Sequence, residues 1–278
     1  MTWFADSSLN DRYSFICDLI MSEYFIFGLP CTPQTLFYGI LFALFFYLIQ
    51  QLINAKNKGS SGNNAMPTQD QTLKLLLSRR TIMPKEFIKG GELSNEEIET
   101  ILEAANWAPT HQKNEPWRYS ILKGSENIEL YLDFLEEWYD DNVESLSDAD
   151  LKKFRSKLAG IREDWPHKVS HLVLIGMKRQ AKPEKRLPEW EEICAVAMSV
   201  QNMHLQATSM NSIGGFWSSH TWCKAARDSQ ELKQRWFGNL LLDPEDRMFG
   251  AFVLGKYDCS KQYRSTRTEI SSKIVHHG

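Results

Sequence analysis

The longest apolar run in the chain is residues 36–53, LFYGILFALFFYLIQQLI. It carries no charge and is unbroken by any strongly polar residue from Leu36 to Ile49. A helix that spans a bilayer needs roughly 20 mostly apolar residues, and polar side chains are tolerated at its interfacial ends, where Gln50 and Gln51 fall. Aromatic and aliphatic side chains would surround such a helix on every side, so it offers no polar face for a surface helix of a soluble domain. The pattern therefore predicts a transmembrane anchor over residues 36–54. A cleaved leader fits poorly, because residues 1–35 come first and carry Asp6, Asp11, Asp18 and Glu23 against Arg12, not a basic start. Lys56 and Lys58 follow the span, which places its C-terminal side in the cytosol by the positive-inside rule.

After the span the periodicity disappears. Residues 55–70, AKNKGSSGNNAMPTQD, have the composition of a flexible tether. From residue 71 to 278 the pattern is that of one globular domain of ordinary size. Leu73, Leu75, Leu76 and Leu77 open it as a short helix. Ser94, with Glu97 at the capping-box position, starts a second helix with an apolar stripe of Ile98, Ile101, Leu102 and Ala105. Residues 117–123 read as a strand, 128–138 and 151–165 as helices, and 171–177 (HLVLIGM) as a buried strand. A long apolar helix over 191–211 runs into a turn at Gly214–Gly215. A short helix over 228–237 and a buried strand over 248–255 complete the domain. Helices interleaved with a few strands predict an α+β fold, a central, mostly antiparallel sheet flanked by helices and preceded by one transmembrane helix.

Composition narrows the chemistry. The formal net charge is −3, which gives no support for a nucleic-acid partner. The five cysteines, Cys17, Cys31, Cys194, Cys223 and Cys259, are odd in number and contain no CxxC, arguing against a disulfide framework or a zinc site. HExxH, GxSxG and P-loop motifs are absent. His167 and His171 have a helical spacing, but Pro166 and the strand beginning at His171 argue against a metal pair. They read as surface or strand-edge histidines. No metal site and no covalent catalytic residue are expected.

Three polar or glycine-rich clusters remain. Ser78–Arg79–Arg80–Thr81 combines two guanidinium groups and a hydroxyl, a set suited to a phosphate, although arginines at a helix end also complement its dipole. Residues 107–118 (WAPTHQKNEPWR) form a polar loop held between prolines, which suits either ligand binding or capping of its own backbone. Gly214–Gly215–Phe216–Trp217–Ser218–Ser219 allows either close backbone approach to a flat ligand or a plain turn with core aromatics. A basic loop, Lys178, Arg179, Lys182, Lys185 and Arg186, reads as solvated, with recognition of an NADPH 2′-phosphate as the sharper alternative.

In order and spacing, LLLSRRT, ILEAANWAPTHQKNEPWRYSIL, LPEWEEICAVAMSVQNMHLQATSMNSIGGFWSS and FGAFVLGKY resemble the FMN-dependent nitroreductase family, in particular its compact bacterial NAD(P)H nitroreductase branch. Thr81 stands where the family has serine. The resemblance covers about residues 71–270 and implies a homodimer with FMN at the interface. It implies that Arg79, Arg80 and Thr81 bind the phosphate and ring edge, and that Trp107, His111 and Asn114 reach the flavin from the neighbouring subunit. Phe216, Trp217 and Ser218 would line the ring face. Arg264 and Arg267 are both candidates for a further phosphate contact, and the spacing does not decide between them. The implied reaction is ping-pong transfer of reducing equivalents from NAD(P)H to a small nitroaromatic, quinone or enone-type acceptor, with the flavin carrying the chemistry.

Two other readings compete. The anchor and tether are similar to those of iodotyrosine deiodinase, a membrane-anchored reductive dehalogenase of the same superfamily. The loop THQKNEPW departs from that protein's small-residue form, and Lys56 and Lys58 predict the opposite side of the membrane. A non-catalytic flavin-binding scaffold on a membrane would carry the same clusters.

Overall fold

The computed structural model describes residues 66–261 and 263–277. The anchor expected at residues 36–54, the segment before it and most of the tether lie outside the described residues. Among the described residues no helix is long and apolar enough to cross a membrane. The first helix, α1 (Gln69–Ser78), begins inside the stretch read as tether, because Thr68 and Gln71 form a reciprocal capping box there. None of its residues is buried. The helix α2 (Asn95–Asn106) starts at the expected box of Ser94 and Glu97 and buries Ile98, Ile101 and Ala105.

Strand β1 (Trp117–Lys123) leads into a helical hairpin, α3 (Gly124–Asp141) and α4 (Asp148–Lys168). Then come β2 (His171–Met177), α5 (Glu189–Ser209), β3 (Ile213–Ser218), α6 (Lys224–Asp228), α7 (Gln230–Phe237) and β4 (Arg247–Lys256). The strands pair antiparallel in the order β1-β2-β4-β3, with Trp117 opposite Met177 and Ser218 opposite Ala251. Side chains alternate across this sheet, as the two-residue strand period requires. Leu172, Leu174, Ala251 and Val253 face a core built with α3, α4 and the α6–α7 segment. Val173, Ile175, Phe252 and Leu254 face a second core built with α2 and α5. The β2 strand is covered on both faces and paired on both edges, which explains its continuous apolar run.

Three sequence expectations are corrected here. Gly214 and Gly215 are not a turn but lie within β3. A Cβ on Gly214 would meet the Ile82 side chain at 2.9 Å, and one on Gly215 would meet Phe252 at 3.0 Å. The pair is therefore demanded by protein packing: the segment after Thr81 lies on the strand, with the Ile82 amide donating to the Gly215 carbonyl at 3.2 Å. Pro166 does not end its helix, since α4 continues to Lys168 and closes with the Val169 amide donating to the Trp165 carbonyl at 2.9 Å. Proline lacks the amide that would donate to the Arg162 carbonyl, and the helix absorbs that one loss within its last turn. His167 is exposed as expected, but His171 is buried between its neighbouring strands and contacts Ser170 Oγ at 2.9 Å.

Within β4, Gly250 lies against the end of β3. Its φ is +90°, and a Cβ would sit 2.0 Å from the Ser218 carbonyl oxygen. Only glycine satisfies both conditions. Ser218 and the loop after it are thereby held against β4.

Candidate functional site

The Arg79–Arg80–Thr81 segment lies where α1 ends and the chain turns onto β3. Arg80 Nε donates to the Tyr263 carbonyl at 2.9 Å, and its Nη1 donates to the carbonyls of Leu77 at 2.5 Å and Arg79 at 2.8 Å. Arg79 Nη1 lies 3.4 Å from His204 Nδ1. Burial, and then the guanidinium groups of Arg267 and Arg80, push the Arg79 pKa below its ordinary value. Among the described residues Arg267 bonds only to Ser265 and the Thr266 carbonyl, and Arg264 lines a pocket with Arg80, Leu77 and Tyr263. Positive charge is thus gathered around the end of α1, and among the described residues none of these four arginines has a carboxylate partner. Glu86 is occupied by Lys261 Nζ and Tyr263 Oη, each at 3.2 Å. Thr81 is exposed beside the arginines.

His204 is a residue that sequence reasoning passed over. It sits on the buried face of α5, and its Nε2 lies 2.8 Å from the Arg80 carbonyl. Burial pushes its pKa down to about 4. The neutral ring therefore donates from Nε2 to that carbonyl and offers a bare Nδ1 lone pair to the Arg79 guanidinium. One side chain holds both arginines. The available signal was a lone histidine in the apolar stripe Val196, Val200, Met203, Ala207.

The loop expected to reach a flavin lies elsewhere. Trp107 caps α2 with its indole exposed and donating to Glu103 at 2.8 Å. His111 Nδ1 meets Glu191 Oε2 at 2.5 Å, and Asn114 Nδ2 donates to Glu192 Oε1 at 2.6 Å. Both partners stand on the first turn of α5, twelve or more residues before His204, which at 1.5 Å per residue is about 18 Å along the helix. Within one chain the structure brings Arg79 and Arg80 together with Arg264 and Arg267, but not with Trp107, His111 and Asn114.

Phe216, Trp217 and Ser218 close β3. The Trp165 ring meets Phe216 edge-on at 6.5 Å between centroids, and Trp217 Nε1 donates to the Phe249 carbonyl at 2.8 Å. They form one wall of a pocket of about 560 Å³ that reaches across to α4.

The basic loop after β2 is only partly solvated, contrary to expectation. Arg179 is buried and pairs with the fully buried Glu192. Arg186 pairs with Asp243 and, at 2.7 Å, with Glu245. Lys182 and Lys185 remain exposed.

Burial holds the pKa of three histidines, His171, His204 and His220, at about 4, below the ordinary 6.5. The unfolded chain then binds protons that the folded chain refuses, so stability is complete above pH 6.5 and falls as pH drops towards 4. The thermal midpoint of the full-length protein is expected to decline already between pH 6.5 and 5, above the range where carboxylates titrate. A midpoint that stays flat over that interval contradicts it.

Comparison with known proteins agrees with the fold. The sequence model of the nitroreductase family matches residues 76–256, more than half of the chain. A nitroreductase-like family protein from Bacillus cereus is 21% identical, with 77% of this chain and 99% of that chain covered and a TM-score of 0.55. A nitroreductase with bound FMN from Bacteroides fragilis is 16% identical, with 74% and 99% covered and a TM-score of 0.51. A BluB-like flavoprotein from Clostridium difficile is 16% identical, with 77% and 100% covered and a TM-score of 0.52. At such identities the likeness is one of fold. No curated protein matches the chain. With the α+β architecture, the antiparallel sheet and the matched span in hand, the chain belongs to the nitroreductase family.

Proposed function

We propose that this chain is an FMN-dependent oxidoreductase that carries reducing equivalents from NAD(P)H to a small nitroaromatic, quinone or enone-type acceptor in a ping-pong cycle. The observation that carries this reading is the guanidinium cluster of Arg79, Arg80, Arg264 and Arg267, none of which has a carboxylate partner among the described residues. A donor set of this kind fits the phosphate of FMN, and the neutral His204 that meets the first two arginines adds no positive charge to repel Arg79. The bound flavin supplies hydride chemistry. The chain's own part is to hold the phosphate on the arginines, to present the end of β3 to the ring, and to screen the site from water with Phe216, Trp217 and Trp165.

A second copy of the chain completes the site in this reading. The Trp107–Asn114 loop, about 18 Å away along α5, would serve the partner's flavin. Two exposed apolar faces support such a dimer: Leu73, Leu76 and Leu77 on α1, and Trp190, Ile193 and Met198 on α5. Residues 36–54 would tether the pair to a membrane, with the catalytic domain on the cytosolic side. The uncharged run and the lysines after it support that part.

The test is the visible spectrum of the full-length protein before and after anaerobic addition of NADH or NADPH. Flavin absorbance that bleaches with either nucleotide is expected. A folded protein that takes up no FMN overturns the reading, and one whose FMN is not reduced points to the scaffold alternative.

A further inference from the structure

The core on the α3–α4 side of the sheet contains an unbroken line of aromatic rings. It starts where Phe216 meets Trp165, with centroids 6.5 Å apart. His220 follows, 6.1 Å from Trp165 and 5.4 Å from Trp222. Trp222 stacks on Phe154 at 5.9 Å, and Phe154 stacks on Tyr139 at 3.7 Å. Tyr139 meets Trp138 at 5.4 Å, and Trp138 is half-buried on α3. A branch leaves His220 through Tyr131, at 5.9 Å, for Trp236, 5.3 Å further on. Separations of this order are direct ring contacts. Indole and phenol rings are among the side chains that give up one electron most readily, and touching rings pass such an electron hole along. Nothing on the line would trap it. The Tyr131 hydroxyl and the Trp222 and Trp236 indole N–H groups are buried without a hydrogen-bond partner among the described residues, and so is His220 Nε2. An oxidised ring there has no bonded base to take its proton, so it stays charged and draws an electron from its neighbour. Burial also holds the His220 pKa at about 4, so no fixed positive charge stands between Trp165 and Trp222. The two ends differ. The Arg235 guanidinium lies 5.8 Å over the Trp236 ring and opposes a positive charge on it. Trp138 stands in sequence between Glu136, Glu137, Asp140 and Asp141. Glu136 and Asp140 pair with Arg162 and Arg155, while Glu137 and Asp141 have no cationic partner among the described residues. Negative charge beside a ring favours its oxidation.

We propose that this line is an exit route for oxidising equivalents, which carries an electron hole from the Trp165–Phe216 wall to Trp138 and away from Trp236. It rests on the flavin reading above, because the oxidant is oxidised FMN excited by light. Trp165 gives that oxidant one electron. Trp222, Tyr139 and Trp138 then each hand one electron on towards Trp165, and Trp138 releases its indole proton to water. A thiol or ascorbate in solution returns one electron and one proton to Trp138. The rings of the site are thereby spared.

The experiment illuminates the full-length, FMN-loaded protein with blue light under argon, with hexaamminecobalt(III) as terminal electron acceptor and a nitroso spin trap. Flavin content is read beforehand from absorbance, and trap adducts are located by peptide mass spectrometry. Trp138 is expected to carry several-fold more adduct than Trp236, and more than Trp107 and Trp190, although these two are far more exposed. Trp222→Phe, which removes an indole N–H that bonds to nothing described, is expected to lower the Trp138 adduct several-fold at parental flavin content. Trp236→Phe is expected to leave the Trp138 adduct unchanged. Adduct that follows exposure, adduct at Trp236 in place of Trp138, or a Trp138 adduct that survives Trp222→Phe overturns the route and leaves the flavin reading standing. Should Trp222→Phe fail to fold, the ratio of Trp138 to Trp236 in the parent still decides. A folded protein that takes up no flavin sinks the flavin reading and, with its oxidant gone, the route as well.

Discussion

Replacing Arg79 and Arg80 together by alanine is expected to weaken FMN binding about a hundredfold or more. A hydrogen bond to a charged group contributes about 1.5–3 kcal/mol, and two of them amount to at least two decades in affinity. The measurement is a titration of FMN fluorescence in the apoprotein, with thermal unfolding of the same samples as the control for folding. The control matters because Arg80 also ties the tail and the end of α1 through the carbonyls of Tyr263 and Leu77. The Arg79 side chain has no such tie to the backbone, and its only partner among the described residues is His204 at 3.4 Å. The single change Arg79→Ala therefore separates the two effects: it should leave the thermal midpoint nearly unchanged while still costing about tenfold or more in FMN affinity. Arg79→Lys should recover part of the loss, because a lysine keeps the charge but not the planar fork. An FMN affinity within threefold of the parent in the double variant would remove the phosphate from this place.

Much of the frame was legible because local signals and the tertiary fold agree. Ser94 and Glu97 announce the start of α2, and its apolar stripe lands in the core beneath it. The continuous run of β2 reports its central place in the sheet. The strand β3 was not legible, because two consecutive glycines suggest a turn when the neighbours that exclude a side chain, Ile82 and Phe252, are far away in sequence. The arginine pair was visible as a candidate, but the residue that orients it was not. His204 looks like one polar interruption in an apolar helix until the fold lays the end of α1 across it. The basic loop failed for a similar reason. Arg186 meets Asp243 from 57 positions away, so nothing local distinguishes a half-buried, paired arginine from a solvated one.

Of the buried polar groups, Glu192 is expected to give the largest loss of stability when changed. Its carboxylate is fully buried, accepts from Arg179 Nη1 on one oxygen and from Asn114 Nδ2 at 2.6 Å on the other. Gln180 Nε2 donates in turn to Asn114 Oδ1, so one acidic side chain joins the loop after α2, the loop after β2 and the first turn of α5. Glu192→Leu would leave Arg179 buried with Glu245, at 3.7 Å from Nε, as its remaining ion-pair partner among the described residues. Removing one partner of a buried ion pair costs about 3–5 kcal/mol, because the remaining charge has lost both its counter-charge and its water. Chemical denaturation should show that loss as a lower midpoint with an unchanged slope. Adding Arg179→Met to Glu192→Leu should restore most of the stability, since two apolar side chains of similar bulk carry no desolvation cost. The Asn114 anchor would still be missing in the double variant. Its stability and its function should therefore part company: near-parental unfolding, but weakened FMN binding if the Trp107–Asn114 loop serves the partner's flavin. Near-parental binding together with recovered stability would show that Glu192 acts on the fold alone and would take Asn114 out of the site.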